Sequence, residues 1–159
     1  MDSLVLFSHG SLLCGSGDAL NRHAESLRKS GSWFAVEVGY LNYSEPTFAD
    51  SVCKLVLEGA SRIVVVPYFL VPGYFVGKAL PRELEPLKAQ FPNVEFVVAD
   101  AIGFDEMVAD AVELSAESPL EHGEWRECIG IAARNCRPSP TCPLYGTHQC
   151  PKVPTSPET

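Results

Sequence analysis

The chain has 159 residues, 46% of them hydrophobic, with 20 acidic against 12 basic side chains and a formal charge of −8. That length suits one domain of ordinary size, and the hydrophobic content excludes wholesale disorder. The acidic balance argues against sequence-independent nucleic-acid binding, which rests on Lys and Arg contacts to phosphate, and no apolar run approaches the roughly 18 residues that a membrane span needs.

Taken in order, Ser3-Leu4-Val5-Leu6-Phe7-Ser8 is a short apolar run that predicts a buried strand, followed by a glycine-containing turn over 9–17. Leu20, Ala24 and Leu27 recur at i, i+4, i+7 among Arg22, Glu25, Arg28 and Lys29, the pattern of an amphipathic helix. Residues 34–41 are aromatic and β-branched and predict a second strand. Thr47, with Asp50 three residues on, marks a helix start, Phe48, Val52, Leu55 and Val56 give that helix its apolar face, and Gly59 stops it.

Arg62-Ile63-Val64-Val65-Val66-Pro67 is the strongest strand signal, a β-branched run suited to a central position covered on both faces. A loop over 68–77 precedes a helix expected at 81–90, with Pro81 in its first turn and Pro86 inside it as a potential kink. Residues 94–99 predict a fourth strand and 105–116 a fourth helix, with Met107, Ala111 and Leu114 on one face. The alternation βαβαβαβα predicts an α/β fold: a parallel four-stranded sheet with right-handed crossovers and helices on both faces.

Such sheets bind ligands outside the carboxyl ends of their strands. This directs attention to Ser8-His9-Gly10-Ser11, Tyr40-Leu41-Asn42-Tyr43, the loop over 68–77 and Asp100-Ala101-Ile102. A neutral imidazole at His9 suits proton acceptance or metal ligation, although a lone histidine is more often structural. The glycines at 10, 15 and 17 fit a phosphate loop poorly, because neither GxGxxG nor GxxxxGK[ST] is present. Phe69-Leu70-Val71-Pro72-Gly73-Tyr74-Phe75-Val76 is apolar for a connection, so it is buried, lines a pocket for a flat hydrophobic ligand, or packs on a partner subunit. Lys78 and Arg82 bring positive charge to the expected helix start, a place for ligand carboxylates.

Composition divides the chain into a body, residues 1–120, and an irregular Cys/Pro-rich tail, residues 121–159. Cys14 and Cys53 stand alone, whereas Cys128-x7-Cys136-x5-Cys142-x7-Cys150 gathers four thiols on a segment rich in proline. Four thiolates suit an iron–sulfur cluster or a tetrahedral Zn²⁺ with His148 as a substitute ligand, though C-x2-C pairs are missing. Free thiols and disulfides are the other readings. Met1-Asp2-Ser3 lacks the basic start of a secretory signal, so a cytoplasmic location is expected.

Several stretches together resemble the small sirohydrochlorin chelatases of sirohaem and cobalamin synthesis. They are Leu4-Val5-Leu6-Phe7-Ser8-His9-Gly10-Ser11, Val38-Gly39-Tyr40-Leu41 leading to Ser44-Glu45-Pro46-Thr47, the run from Ala60 through Leu70, and Pro72-Gly73. The resemblance covers roughly 3–116 and implies a flavodoxin-like domain that inserts Co²⁺ or Fe²⁺, as substrate metal, into a polycarboxylated tetrapyrrole. His9 matches the family's first active-site histidine and takes the roles of metal ligand and proton acceptor. The positions aligned with the second histidine and a following acidic residue are Phe75 and Ala79, ahead of Pro81, and neither side chain binds metal. Tyr40, Tyr74 or a residue of another subunit is the candidate substitute. Ser11, Tyr40, Asn42, Gly73, Tyr74, Lys78 and Arg82 are the expected substrate-binding positions. A domain this small covers a large macrocycle poorly, so a homodimer or a longer parent chain is expected. The alternative is a non-catalytic metal- or tetrapyrrole-binding protein whose tail cysteines hold a centre.

Overall fold

The structure, a computed structural model, describes residues 1–10, 17–118 and 145. Its elements run β1 (Asp2–Ser8), α1 (Asp18–Ser30), β2 (Val36–Tyr40), α2 (Phe48–Leu57), β3 (Arg62–Pro67), a π-helical turn (Phe75–Ala79), α3 (Leu80–Gln90), β4 (Glu95–Val98) and α4 (Glu106–Glu117). The four strands form one parallel sheet in the order β2-β1-β3-β4. This is the flavodoxin-like arrangement, with its switch of direction between β1 and β3.

The alternation along β1 divides the core. Val5 and Phe7 face α2 and α3, where they pack with Phe48, Val52, Leu55, Ile63, Val65, Leu80, Leu84 and Leu87. Leu4 and Leu6 face α1 and join Leu20, Ala24, Val36, Val38, Tyr40 and Val64. Full burial of each large side chain contributes about 1.5–3 kcal/mol, so the two-sided packing of β1 and β3 anchors the domain.

Local chemistry sets the helix limits. Thr47 caps α2 as its spacing predicts: Oγ1 accepts from the Asp50 amide at 3.1 Å and donates to the Asp50 carboxylate at 2.6 Å. Helix α1 ends on Gly31, whose φ of 69° is the left-handed cap glycine favours. Pro86 is accommodated on the exposed side of α3.

One expectation is corrected. The segment expected to be loop through 77 is already helical from Phe75, since the π-turn runs directly into α3. The face of α4 bearing Met107, Ala111 and Leu114 is not buried among the described residues; Met107 is 80% and Leu114 66% exposed. Its 3.6-residue periodicity is present, but none of the residues of α4 is buried.

The sheet's two edges differ. On β2 the Val36 carbonyl accepts from Arg28 Nε at 2.7 Å, the Val38 carbonyl accepts from buried Ser51 Oγ at 2.6 Å, and the Tyr40 amide donates to the Pro46 carbonyl at 3.1 Å. Glu37 on the same strand pairs with Lys54 at 2.6 Å and Arg28 at 3.7 Å. At the outer edge of β4, Phe96 and Val98 have no such partners among the described residues. No helix among the described residues is long and apolar enough to cross a membrane.

Candidate functional site

All four strands deliver their following segments to one rim, and hydrogen bonds tie these together. The Leu41 amide donates to the Ser8 carbonyl at 2.9 Å, and that of Asn42 to the His9 carbonyl at 3.0 Å. The Tyr68 amide donates to the Phe7 carbonyl at 2.8 Å, and that of Gly103 to the Phe69 carbonyl at 3.1 Å. His9 therefore leaves β1 at the switch point, held between the ends of β2 and β3. Gly10 completes the constraint with φ of 81°, and a Cβ there would lie 1.8 Å from the Asn42 carbonyl oxygen. Only glycine fits at that approach.

The His9 side chain ends a run of aromatic rings that starts in the core. Buried Phe7 meets Phe48 edge-on at 5.1 Å and Phe69 at 6.0 Å between ring centroids. Phe69 stacks on Phe75 at 5.6 Å with 10° between planes, and Phe75 stacks on His9 at 5.4 Å and 29°. His9 and Phe69 close the triangle at 6.0 Å. Phe75 reaches this place from the π-turn, in which the Leu80 amide donates to the Phe75 carbonyl across an extra residue. The imidazole itself is exposed.

The apolar loop divides its residues between two environments. Phe69 packs on the core, whereas Leu70, Val71 and Tyr74 are exposed, Tyr74 meeting the Phe75 ring edge-on at 5.9 Å. A cavity of about 600 Å³ lies elsewhere, between α1 and α4 on the opposite sheet face, lined by Leu4, Leu6, Trp33, Val66, Tyr68 and Val108 among others. His9 does not line it. No group of three or more His, Cys, Asp and Glu side chains suited to a metal occurs among the described residues.

The family model described as CbiX matches residues 3–118. The chain belongs to the CbiX family. The sirohydrochlorin cobaltochelatase of Methanocaldococcus jannaschii is 32% identical over 136 residues, which cover 70% of this CbiX chain and 95% of the relative. The chloroplastic sirohydrochlorin ferrochelatase of Arabidopsis thaliana is 25% identical over 148 residues, covering 92% of this chain and 64% of that one. The solved structure of SirB from Bacillus subtilis with Fe³⁺ superposes with a TM-score of 0.66 at 26% identity, covering 70% of this chain and 44% of SirB. This CbiX chain thus spans less than half of the SirB chain.

The remaining expected site residues are distributed unequally in this CbiX fold. Tyr40 is at the rim by position, but its side chain is 5% exposed and packs with the α1-side core. Its hydroxyl has no hydrogen-bond partner among the described residues and would stand 2.4 Å from a Cβ built on Gly17, and burial raises its pKa above the usual 10. Asn42 contributes backbone to the site, its side chain being exposed. Gly73 and Tyr74 are exposed at the start of the helical segment, where the Gly77 amide donates to the Gly73 carbonyl at 2.8 Å.

Lys78 and Arg82 require a correction, because the helix begins a turn earlier than expected. Lys78 lies in the π-turn and Arg82 inside α3, 3.4 Å from Glu83, so neither marks a helix start. Both remain exposed. Ser11, Cys14, Cys128, Cys136, Cys142, His148 and Cys150 lie outside the described residues. The contacts of Phe69 and Phe75 with His9 were not legible in the sequence; the available signal was the aromatic content of the loop after β3.

Proposed function

We propose that this chain is a sirohydrochlorin chelatase that inserts Co²⁺ or Fe²⁺, as substrate, into the tetrapyrrole, with His9 as metal ligand and proton acceptor. The observation that carries this reading is an exposed histidine held at the β1/β3 switch point of a chain matched by the CbiX model over 3–118. Insertion exchanges the ion's water for ring nitrogens and releases two pyrrolic N–H protons. An exposed imidazole can take one proton at a time and return it to water. With no dedicated multi-ligand metal cluster among the described residues, the ring nitrogens supply donors beyond His9.

Lys78 and Arg82 face solvent and suit the substrate's carboxylates, Asn42, Gly73 and Tyr74 are exposed on the same rim, and Ser11 is assigned to the substrate only from its place in the sequence after His9. Tyr40 contributes through packing. The chelatase domain occupies 1–120 and the tail 121–159, whose Cys128, Cys136, Cys142 and Cys150 hold an iron–sulfur cluster or Zn²⁺. The exposed Leu70, Val71 and Tyr74 favour a homodimer or a longer parent chain that completes the cover over a macrocycle. A cytoplasmic location accords with this chemistry.

The test is absorbance of sirohydrochlorin with Co²⁺, or anaerobically with Fe²⁺. Insertion above the spontaneous rate is expected, with loss in His9→Ala; an unchanged rate in that variant sinks the assignment. Anaerobic protein with iron and sulfide in similar amounts would support the cluster, stoichiometric zinc the structural site, and metal-free protein neither. Light scattering decides the dimer. One observation favours a second reading, non-catalytic tetrapyrrole or metal binding: Phe75 has no donor atom. Binding of sirohydrochlorin without accelerated insertion would favour it.

A further inference from the structure

We infer that Phe75 is a positioning residue for His9, and that the ring stack sets a planar tetrapyrrole across the stacked rings so that it meets their edges; this rests on the chelatase reading. Three ring centroids, His9, Phe75 and Phe69, form a triangle with sides of 5.4, 5.6 and 6.0 Å. Phe69 and Phe75 are within 10° of parallel, and the imidazole is 29° from Phe75. Phe69 is in turn packed on Phe7, a fully buried core side chain, so the stack is tied to the rigid part of the domain. The exposed imidazole is thereby restrained through ring contacts, in addition to the backbone bond between the His9 carbonyl and Asn42.

The orientation follows from orbital direction. An imidazole nitrogen presents its lone pair in the plane of the ring, whereas its face carries π density and is the surface used in stacking. A donor to an ion at the centre of a planar macrocycle approaches along the macrocycle's normal. The macrocycle plane must then stand perpendicular to the His9 ring, and within 29° of perpendicular to Phe75. The substrate therefore meets the edges of the rings, with their positively polarised C–H groups toward its π face, and Phe75 keeps the imidazole from turning its lone pair away. A side chain that only filled space at position 75 would bind substrate comparably and lose this restraint.

The test compares wild type with Phe75→Leu, which keeps an apolar side chain at a partly exposed position, and Phe75→Trp, which restores an aromatic face. By NMR, the His9 ring protons of wild type should lie upfield of their positions in Phe75→Leu, with Phe75→Trp resembling wild type. Equal shifts in all three overturn the contact. In the insertion assay, Phe75→Leu should lower kcat about tenfold, equivalent to about 1.4 kcal/mol of transition-state positioning, with KM for sirohydrochlorin changed by less than about twofold, and Phe75→Trp should recover it. An unchanged kcat in Phe75→Leu, or a loss confined to KM, overturns the positioning role. Wild type that inserts no metal overturns both the chelatase reading and the proposed orientation of its substrate, whatever the ring-proton shifts. Failure of the positioning role alone shows instead as active wild type with equally active Phe75→Leu.

Discussion

Gly10 lies so close to Asn42 that a Cβ on it would stand 1.8 Å from the Asn42 carbonyl oxygen. Gly31 also has positive φ, 69°, but a Cβ there meets nothing within 4 Å. The pair separates conformational cost from collision. Gly31→Ala should lose about 1–2 kcal/mol, the cost of a left-handed residue with a side chain. Gly10→Ala should lose more, about 2–4 kcal/mol, because backbone must move as well. Urea denaturation of both variants checks this; equal losses would mean that the Asn42 segment yields without cost. Because Asn42 also binds the His9 carbonyl, Gly10→Ala should impair insertion beyond its effect on stability.

The buried Tyr40 hydroxyl gives a pH-dependent prediction. Burial raises its pKa above about 10 in the folded chain, so the unfolded tyrosine ionises first as pH rises. The contribution of Tyr40 to stability is complete below the unfolded pKa and is lost as pH climbs through the folded value. Tyr40→Phe should therefore lose less stability than wild type between pH 9.5 and 11.5, values set by the usual tyrosine pKa of about 10. At pH 7 it should be as stable or gain up to about 1 kcal/mol, since a hydroxyl with no hydrogen-bond partner among the described residues is removed. Thermal melts across that range suffice, and a destabilised Tyr40→Phe at neutral pH would contradict the orphan hydroxyl. Tyr68 is also shifted upward by burial, so some alkaline loss persists in the variant.

Thr47 offers a prediction with its own control. Its hydroxyl both accepts from the Asp50 amide and donates to the Asp50 carboxylate. Thr47→Ala should cost about 1 kcal/mol, and Thr47→Ser should retain most of the stability. Chemical denaturation monitored by circular dichroism reads both, and equal losses would remove the cap from the account of α2.

The basic residues near the site predict a kinetic asymmetry. Arg82 has Glu83 at 3.4 Å, whereas Lys78 has no ion-pair partner among the described residues. Lys78→Ala should raise KM for the polycarboxylated substrate by about two- to fivefold with kcat preserved, and Arg82→Ala by less. Added salt should shrink the difference, because exposed charges are screened. A fall in kcat without a change in KM would assign Lys78 to the chemistry instead.

The elements were legible where their causes are local. The β-branched run of β3, the Thr47 cap and the alternation through β1 each depend on neighbours in sequence, and the parallel order follows from them. The position of His9 was legible for the same reason, since a strand end and a glycine define it. The contact of Phe75 with His9 was not, because it depends on one extra residue in a helical turn and on rings brought together by the fold. Tyr40 illustrates the reverse error: chain order gives the rim, but the direction of a side chain at a strand's end decides between ligand and core. The apolar stripe of α4 was legible as periodicity, whereas its exposure was not, since periodicity names a face without naming what covers it.

The unequal edges of the sheet give the domain a direction of growth. Arg28, Ser51 and Pro46 occupy the outward backbone groups of β2 and act as a stop for strand addition on that side. Beside β4 the ladder stays open among the described residues, and Val98 there is 45% exposed. Among the described residues a further strand has one place to extend this sheet, so assembly by strand addition there would be one-sided and would lengthen the sheet away from β2.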